Sequence, residues 1–134
     1  MKVEVCHEYY TPELLRANPD KVYVFGDNMI RKGYGGQAII RDEPNAFGIS
    51  TKRYPSMKSG AFYADRDDEL ERLDDDLSKL WSLLKSGRTV VFPCDGVGTG
   101  LAKLEVNSPV IWRELHYTLW TNFGFMNGGD NEFQ

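Results

Sequence analysis

Short apolar runs alternate along the chain with segments whose apolar residues have helical spacing. Residues 21–26 and 89–92 are rich in β-branched and aromatic side chains and predict buried strands. Lys2–Cys6 and residues 46–50 are shorter runs that predict two further strands. From residue 67 to 84, leucines recur every three or four positions, which is typical of an amphipathic helix. The pattern therefore predicts four strands with helical segments between them.

Helix-start signals occur at two further places. Thr11 precedes Pro12, and this order favours a helix start because a threonine oxygen can cap the first turn and proline tolerates the first helical position. Ser108 precedes Pro109 in the same way. We therefore expect a last helix over residues 109–121, with Ser108 as its N-cap.

The alternation of strands and helices predicts one α/β domain over residues 1–126, with helices on both faces of a central sheet. A polar tail over residues 127–134 is expected to fray. Three aspartates, residues 74–76, are expected on the solvated face of the long helix. Trp112 and Trp120 are expected to pack on the last helix.

Composition narrows the function classes. The chain has 134 residues and a net charge of −4, which disfavours broad non-specific binding to nucleic acid. Its two cysteines, Cys6 and Cys94, form no CxxC pair, and its two histidines show no zinc-site spacing, so neither a metal nor another cofactor is expected. No apolar run approaches membrane length, and the first residues lack a signal-peptide core. We expect a cytoplasmic protein that has no membrane partner.

A first glycine-rich loop follows the strand of residues 21–26. Its glycines allow backbone N–H groups to approach a ligand, and a helix predicted over residues 37–41 would direct its N-terminus at the same point. Asp27 and Asn28 stand where a side chain can reach a ribose hydroxyl, and Tyr34 either covers a ribose or base or is simply exposed. The alternative is an ordinary strand–turn–helix connection. The candidate ligand-binding residues are Gly26, Asp27, Asn28, Gly33, Tyr34, Gly35, Gly36 and Gln37.

A second glycine-rich loop follows the strand of residues 89–92. Three glycines at alternate positions let successive N–H groups form a nest for phosphate oxygens, and Thr99 adds a hydroxyl donor. The alternative is a flexible surface loop, but turns rarely need three glycines in five residues. The candidate residues here are Asp95, Gly96, Val97, Gly98, Thr99, Gly100 and Leu101. Two glycine loops at carboxyl ends of strands predict two phosphates or one long ligand, because ligands of such sheets bind at that edge. A diphosphate with a ribose at each end would fit.

Three segments resemble the macrodomain family: VFGDNMIRKGYGGQAII (24–40), ISTKR (49–53) and VVFPCDGVGTGLAKL (90–104). The resemblance spans roughly residues 20 to 120 and is closest to the lysine-dependent branch that removes terminal ADP-ribose. Small phage-encoded macrodomain-like proteins with VFGDN and GxGLA are also similar. The resemblance implies a mixed central sheet with flanking helices. It also implies binding of ADP-ribose or a related nucleotide, free or attached to a protein or nucleic acid.

The resemblance also implies residue roles. Asp27 and Asn28 would contact adenosine or the distal ribose, and the loop 96–101 would wrap the diphosphate. Thr51 and Lys52 would line the site, and Lys52 would act as the catalytic or ribose-engaging lysine. Catalysis would be hydrolysis of the ADP-ribosyl linkage.

One position departs from the lysine-dependent branch. The aspartate expected after G-x-G-L is replaced by Ala102, so Asp27 or Asp95 would have to serve as the acid or base. A binding module that captures a nucleotide without turning it over is the alternative. A Cys94 nucleophile is a further possibility, although a small buried cysteine is favoured. A nucleotide phosphoribohydrolase is disfavoured because its PGGxGTxxE motif is absent.

Overall fold

The structure is a computed structural model that describes residues 2–129. Its four strands are β1 (Lys2–Cys6), β2 (Lys21–Asn28), β3 (Ala46–Lys52) and β4 (Thr89–Pro93). They form one sheet in the order β1-β4-β2-β3, and every strand pairing is parallel. An isolated antiparallel bridge joins Lys52 to Phe62. The predicted α/β class is confirmed.

Four α-helices connect and flank the strands: α1 (Pro12–Ala17), α2 (Asp67–Lys85), α3 (Leu104–Asn107) and α4 (Pro109–Phe123). Thr11 caps α1 as expected, since its hydroxyl oxygen accepts a hydrogen bond from Leu14 N at 3.1 Å. The sequence did not predict α3, a single turn that follows the second glycine loop.

Apolar side chains cover both faces of the sheet, because neighbouring residues of a strand point to opposite sides. Along β2, Val22 and Val24 join one core cluster together with α2 and α4 residues. Tyr23 and Phe25 join a second cluster with Leu15 of α1. Helices therefore lie on both faces of the sheet, and loops follow the strands at its carboxyl edge.

The strands run further towards that edge than the sequence indicated. β2 extends to Asn28 and β3 to Lys52, so the candidate residues at these strand ends belong to the sheet itself. The helix expected over residues 37–41 is a five-residue 3₁₀ helix, Gly36–Ile40. A turn this short lacks the dipole of an α-helix, so the helix-dipole argument for an anion site at the first loop is wrong.

Ser108 holds the N-cap position of α4 and Pro109 is its first residue, as predicted, but the capping hydrogen bonds come from Asp65. The Asp65 carboxylate accepts hydrogen bonds from Val110 N at 3.2 Å and from Ile111 N at 3.0 Å. The Ser108 hydroxyl donates to the same carboxylate at 2.6 Å and makes no cap bond of its own to the helix. Asp65 lies 43 residues earlier in the chain, so the cap is a tertiary contact that local sequence signals do not indicate.

Two other expectations are corrected. Asp76 is fully buried and not solvated. Its carboxylate accepts a hydrogen bond from Ser50 N at 2.8 Å and pairs with Arg31 at 3.1 Å. Burial raises the pKa of Asp76, although these two partners oppose the shift. Trp112 packs against the core as expected, but Trp120 is about half exposed.

The end of the described chain packs on the domain. Asn127, the first residue of the expected tail, is buried and exchanges hydrogen bonds with Val97. Residues 130–134 of that tail lie outside the described residues. Within residues 2–129, no helix is long and apolar enough to cross a membrane.

Candidate functional site

A cavity of about 520 Å³ opens at the carboxyl ends of β2 and β4, between the two glycine loops. Parallel strands end at a common edge, and this is where ligands of open α/β sheets bind. The volume is within the range of small-molecule and cofactor sites. The cavity therefore lies at the edge of the sheet where the sequence predicted a ligand site.

The structure brings most of the predicted residues to this cavity. Tyr34 and Val97 are the exceptions. The Tyr34 hydroxyl hydrogen-bonds the Asp42 carboxylate at 2.9 Å on the surface, and Val97 is fully buried in the core. The predicted residues that line the cavity are Gly26, Asp27, Asn28, Gly33, Gly35, Gly36, Gln37, Thr51, Lys52, Asp95, Gly96, Gly98, Thr99, Gly100 and Leu101.

Sequence reasoning missed several lining residues. Lys32 and Arg41 add positive charge from the first loop and the residue after its 3₁₀ helix. Pro55, Ser56 and Met57 belong to the segment after β3, which carries no glycine motif and gave no signal of its own. Ala102, which the sequence marked only as the replacement of an expected aspartate, also lines the cavity and gives it a small apolar surface.

Asp27 is held by two arginines. Its carboxylate pairs with Arg41 at 2.7 Å and with Arg31 at 3.1 Å, and the side chain is only 2% exposed. Arg41 also donates to the carbonyl of Gly33 at 2.8 Å. Both carboxylate oxygens are thus engaged in holding the first loop against the sheet, which leaves Asp27 poorly placed to act as a general base.

Asn28 has a similar structural task. Its side-chain amide donates to the Lys32 carbonyl at 2.8 Å, and its oxygen accepts from Lys32 N at 3.4 Å. The two polar residues that the sequence offered to a ribose therefore spend their hydrogen-bonding groups on shaping the loop.

Gln37 joins the two glycine loops. Its side-chain oxygen accepts from Gly26 N at 2.9 Å, and its amide donates to the Gly96 carbonyl at 2.9 Å and to Asp95 Oδ1 at 3.3 Å. A Cβ at Gly26 would lie 3.5 Å from Gly98 N and 3.7 Å from the Gln37 oxygen, which are ordinary contact distances.

The second loop, which lines the cavity, contains backbone N–H groups without a partner among the described residues. No acceptor within residues 2–129 takes the N–H groups of Gly98, Thr99, Gly100 or Leu101, whereas the N–H of Gly96 is bonded to the Pro93 carbonyl. Neighbouring free amides of this kind form a concave anion site. The phosphate nest that the glycine spacing indicated stays a prediction.

Lys52 brings an uncompensated positive charge. Its ammonium group donates to the Ser56 carbonyl at 2.5 Å and lies 5.0 Å from the Phe62 ring centre. In the described part of the chain, no carboxylate lies within 4.0 Å of it or of the Lys32 ammonium. Burial lowers the pKa of the Lys52 ammonium.

Asp95 is the acidic lining residue with the most freedom. It is exposed, and its carboxylate has Gln37 as its one side-chain partner among the described residues. Cys94 is half-buried and reduced, as is Cys6. Cys94 does not line the cavity, so the structure gives no support to a nucleophilic role in this site.

The fold and the site define a parallel α/β domain with a cationic, glycine-lined cavity at the strand ends. Residues 5–118 match the model of DUF7831, a family of unknown function, and the chain belongs to that family. No curated protein and no solved structure matches the chain.

Proposed function

We propose that the cavity binds a nucleotide diphosphate of the ADP-ribose class. The observation that carries the proposal is the charge arrangement: the free amides of the second glycine loop line the same cavity as Lys52 and Lys32, which lack acidic partners among residues 2–129. Cations and backbone N–H groups together favour phosphate oxygens. The resemblance of three segments to macrodomains supports the choice of ADP-ribose among phosphate ligands.

The geometry favours binding over turnover. Asp27 is neutralised by two arginines, and Ala102 stands where the lysine-dependent branch has its acid. General acid–base catalysis needs a carboxylate that can take or give a proton at the reacting atom. A module that captures ADP-ribose, free or attached to a protein or nucleic acid, needs no such group. A cytoplasmic location belongs to this proposal, as that is where such ligands are expected.

Hydrolysis of the ADP-ribosyl linkage is the second candidate, and the lowered pKa of Lys52 favours it. A larger neutral fraction of this amine would help it attack the anomeric carbon of the distal ribose, from which the carboxylate of the modified side chain would leave. The sugar attached to the Lys52 nitrogen would then open to a Schiff base, and water would hydrolyse it to release ADP-ribose and restore the amine. Asp95 would then serve as the base, because it lines the same cavity and has no cationic partner in the described part. This candidate differs from the first only in what happens after binding.

Calorimetry with ADP-ribose tests the proposal. We expect micromolar affinity for ADP-ribose, weaker binding of ADP and little binding of adenosine, which has no phosphate. The absence of binding at millimolar ADP-ribose would overturn the proposal. Equal binding of adenosine and ADP would show that phosphate recognition is not the basis of affinity.

Incubation with an ADP-ribosylated protein separates the two candidates. Chromatography would follow free ADP-ribose over several hours, with the Lys52→Met variant as control. Intact conjugate together with measurable binding supports the binding module. Release of ADP-ribose that depends on Lys52 would establish the hydrolase.

A further inference from the structure

Asn127 lies beyond the part of the chain that matches the family model, yet it contacts the second glycine loop directly. It follows the end of α4, and its side chain is 1% exposed. Its Oδ1 accepts from Val97 N at 2.8 Å, and its Nδ2 donates to the Val97 carbonyl at 3.0 Å. One buried amide side chain thus holds both backbone polar groups of Val97.

Gln37 holds the same stretch of backbone from the cavity side. It donates to the Gly96 carbonyl, which belongs to the peptide unit whose N–H is bonded to Asn127. Asn127 therefore bonds two successive peptide units, 96–97 and 97–98, and Gln37 bonds the first of them. A glycine-rich segment would otherwise sample many conformations, since glycine has the greatest backbone freedom.

The planar trans peptide transmits this constraint to Gly98. In such a unit the N–H points opposite to the C=O. The Val97 carbonyl points at Asn127, so the Gly98 N–H points away from Asn127. The nitrogen of Gly98 lies on the side of Gly26, a cavity-lining residue, at 3.5 Å from where a Gly26 Cβ would be.

We propose that Asn127 is a positioning residue that aims the Gly98 N–H into the cavity as a preorganised donor to a phosphate oxygen, with Gln37 as its counterpart. The role as a phosphate donor rests on the proposed function, but the orientation of the N–H does not. Preorganised donors bind more tightly because no ordering cost is incurred on binding.

The test compares Asn127→Ala with Asn45→Ala in the full chain. Asn45 is a matched control, being a buried asparagine whose side-chain amide donates to three backbone carbonyls, those of Leu15, Asn18 and Lys21. It precedes β3 at the opposite, amino edge of the sheet. NMR residual dipolar couplings report the direction of the Gly98 N–H bond, and calorimetry reports the affinity for ADP-ribose.

We expect Asn127→Ala to change the Gly98 coupling and to weaken ADP-ribose binding by at least about tenfold, the effect of one donor to a charged group. Asn45→Ala should leave the Gly98 coupling unchanged and the affinity for ADP-ribose within about twofold of that of the wild type. If the Gly98 coupling is unchanged in Asn127→Ala, or if both variants weaken binding equally, the inference is overturned. A changed coupling in a protein whose wild type binds no ADP-ribose supports the orientation and overturns the proposed function instead.

Gln37→Met provides a second variant in case Asn127→Ala does not fold. Methionine is similar in length and cannot make the three hydrogen bonds of Gln37, which is half-buried and not part of the apolar core. The same change in the Gly98 coupling is expected from it, and an unchanged coupling would count against the inference.

Discussion

The ammonium group of Lys52 donates a hydrogen bond to the backbone carbonyl of Ser56 at 2.5 Å. Both residues line the cavity, and Lys52 lies at the end of β3 while Ser56 belongs to the segment that follows it. The charge of Lys52 is thus held by a neutral carbonyl and not by an acid. A phosphate that enters the cavity meets a cation that no carboxylate within the described residues has neutralised.

Removal of this charge should weaken nucleotide binding. We expect Lys52→Met to lower the affinity for ADP-ribose by about tenfold to a hundredfold, the range for a hydrogen bond between charged groups. Lys58→Met is the matched control, as Lys58 lies on the segment that follows β3, is exposed and does not line the cavity. Calorimetry would measure the affinity of both variants for ADP-ribose. If Lys52→Met binds as tightly as Lys58→Met, Lys52 does not contact the ligand directly.

Binding should also depend on pH through Lys52. Burial lowers the pKa of this ammonium group, and no neighbouring carboxylate opposes the shift. The charged form that attracts phosphate is therefore lost at a lower pH than for an exposed lysine, so affinity should fall as the pH rises from neutral towards the lysine range. Lys52→Arg should remove this fall because arginine keeps its charge. A fall that persists in Lys52→Arg would assign it to another group.

The sequence predicted the sheet and the two loops that line the cavity because both depend on local patterns. Strand periodicity gave β1 to β4 to within two residues, and the glycine spacing predicted which loops line the cavity. The roles of individual side chains were harder to predict. Asp27 looked available for a ribose, but Arg31 and Arg41 fold back onto it and engage both of its oxygens.

Long-range contacts explain most of the other misses. Asp76 looked exposed because its two aspartate neighbours are, but its position on α2 faces β3, where Ser50 N needs an acceptor. Ser108 holds the N-cap position as predicted, but the capping hydrogen bonds come from Asp65 in a distant loop. Asn127 was expected in a polar tail because its partner, Val97, is also distant in the sequence. No periodicity in the sequence contains these pairings.

The buried ion pairs of Asp27 lead to a stability prediction. Asp27→Asn should lower the free energy of unfolding by about 3 kcal/mol, since it leaves the nearly buried Arg41 guanidinium without its carboxylate. Asp95→Asn, at an exposed position in the same cavity, should change stability by less than about 0.5 kcal/mol. Urea denaturation measures both. An Asp27→Asn variant as stable as the wild type would show that the arginines find other partners.

A pair of glycines in the second loop tests whether its backbone shape matters for binding. Gly98 has φ +74°, and a Cβ there would lie 3.0 Å from Leu104 Cδ2 and 3.1 Å from Thr51 Cγ2. Gly98→Ala should therefore lower the free energy of unfolding by about 1–2 kcal/mol and weaken ADP-ribose binding, because the left-handed conformation is costly for alanine.

Gly100→Ala is the matched control for this change. Gly100 has no positive φ, and a Cβ there would meet nothing within 4 Å. The free energy of unfolding of Gly100→Ala should stay within about 0.5 kcal/mol of that of the wild type. Urea denaturation and calorimetry on the two variants separate backbone strain from the mere addition of a methyl group to the loop. Equal effects at both positions would mean that the loop adapts its backbone and that the cavity is not preorganised.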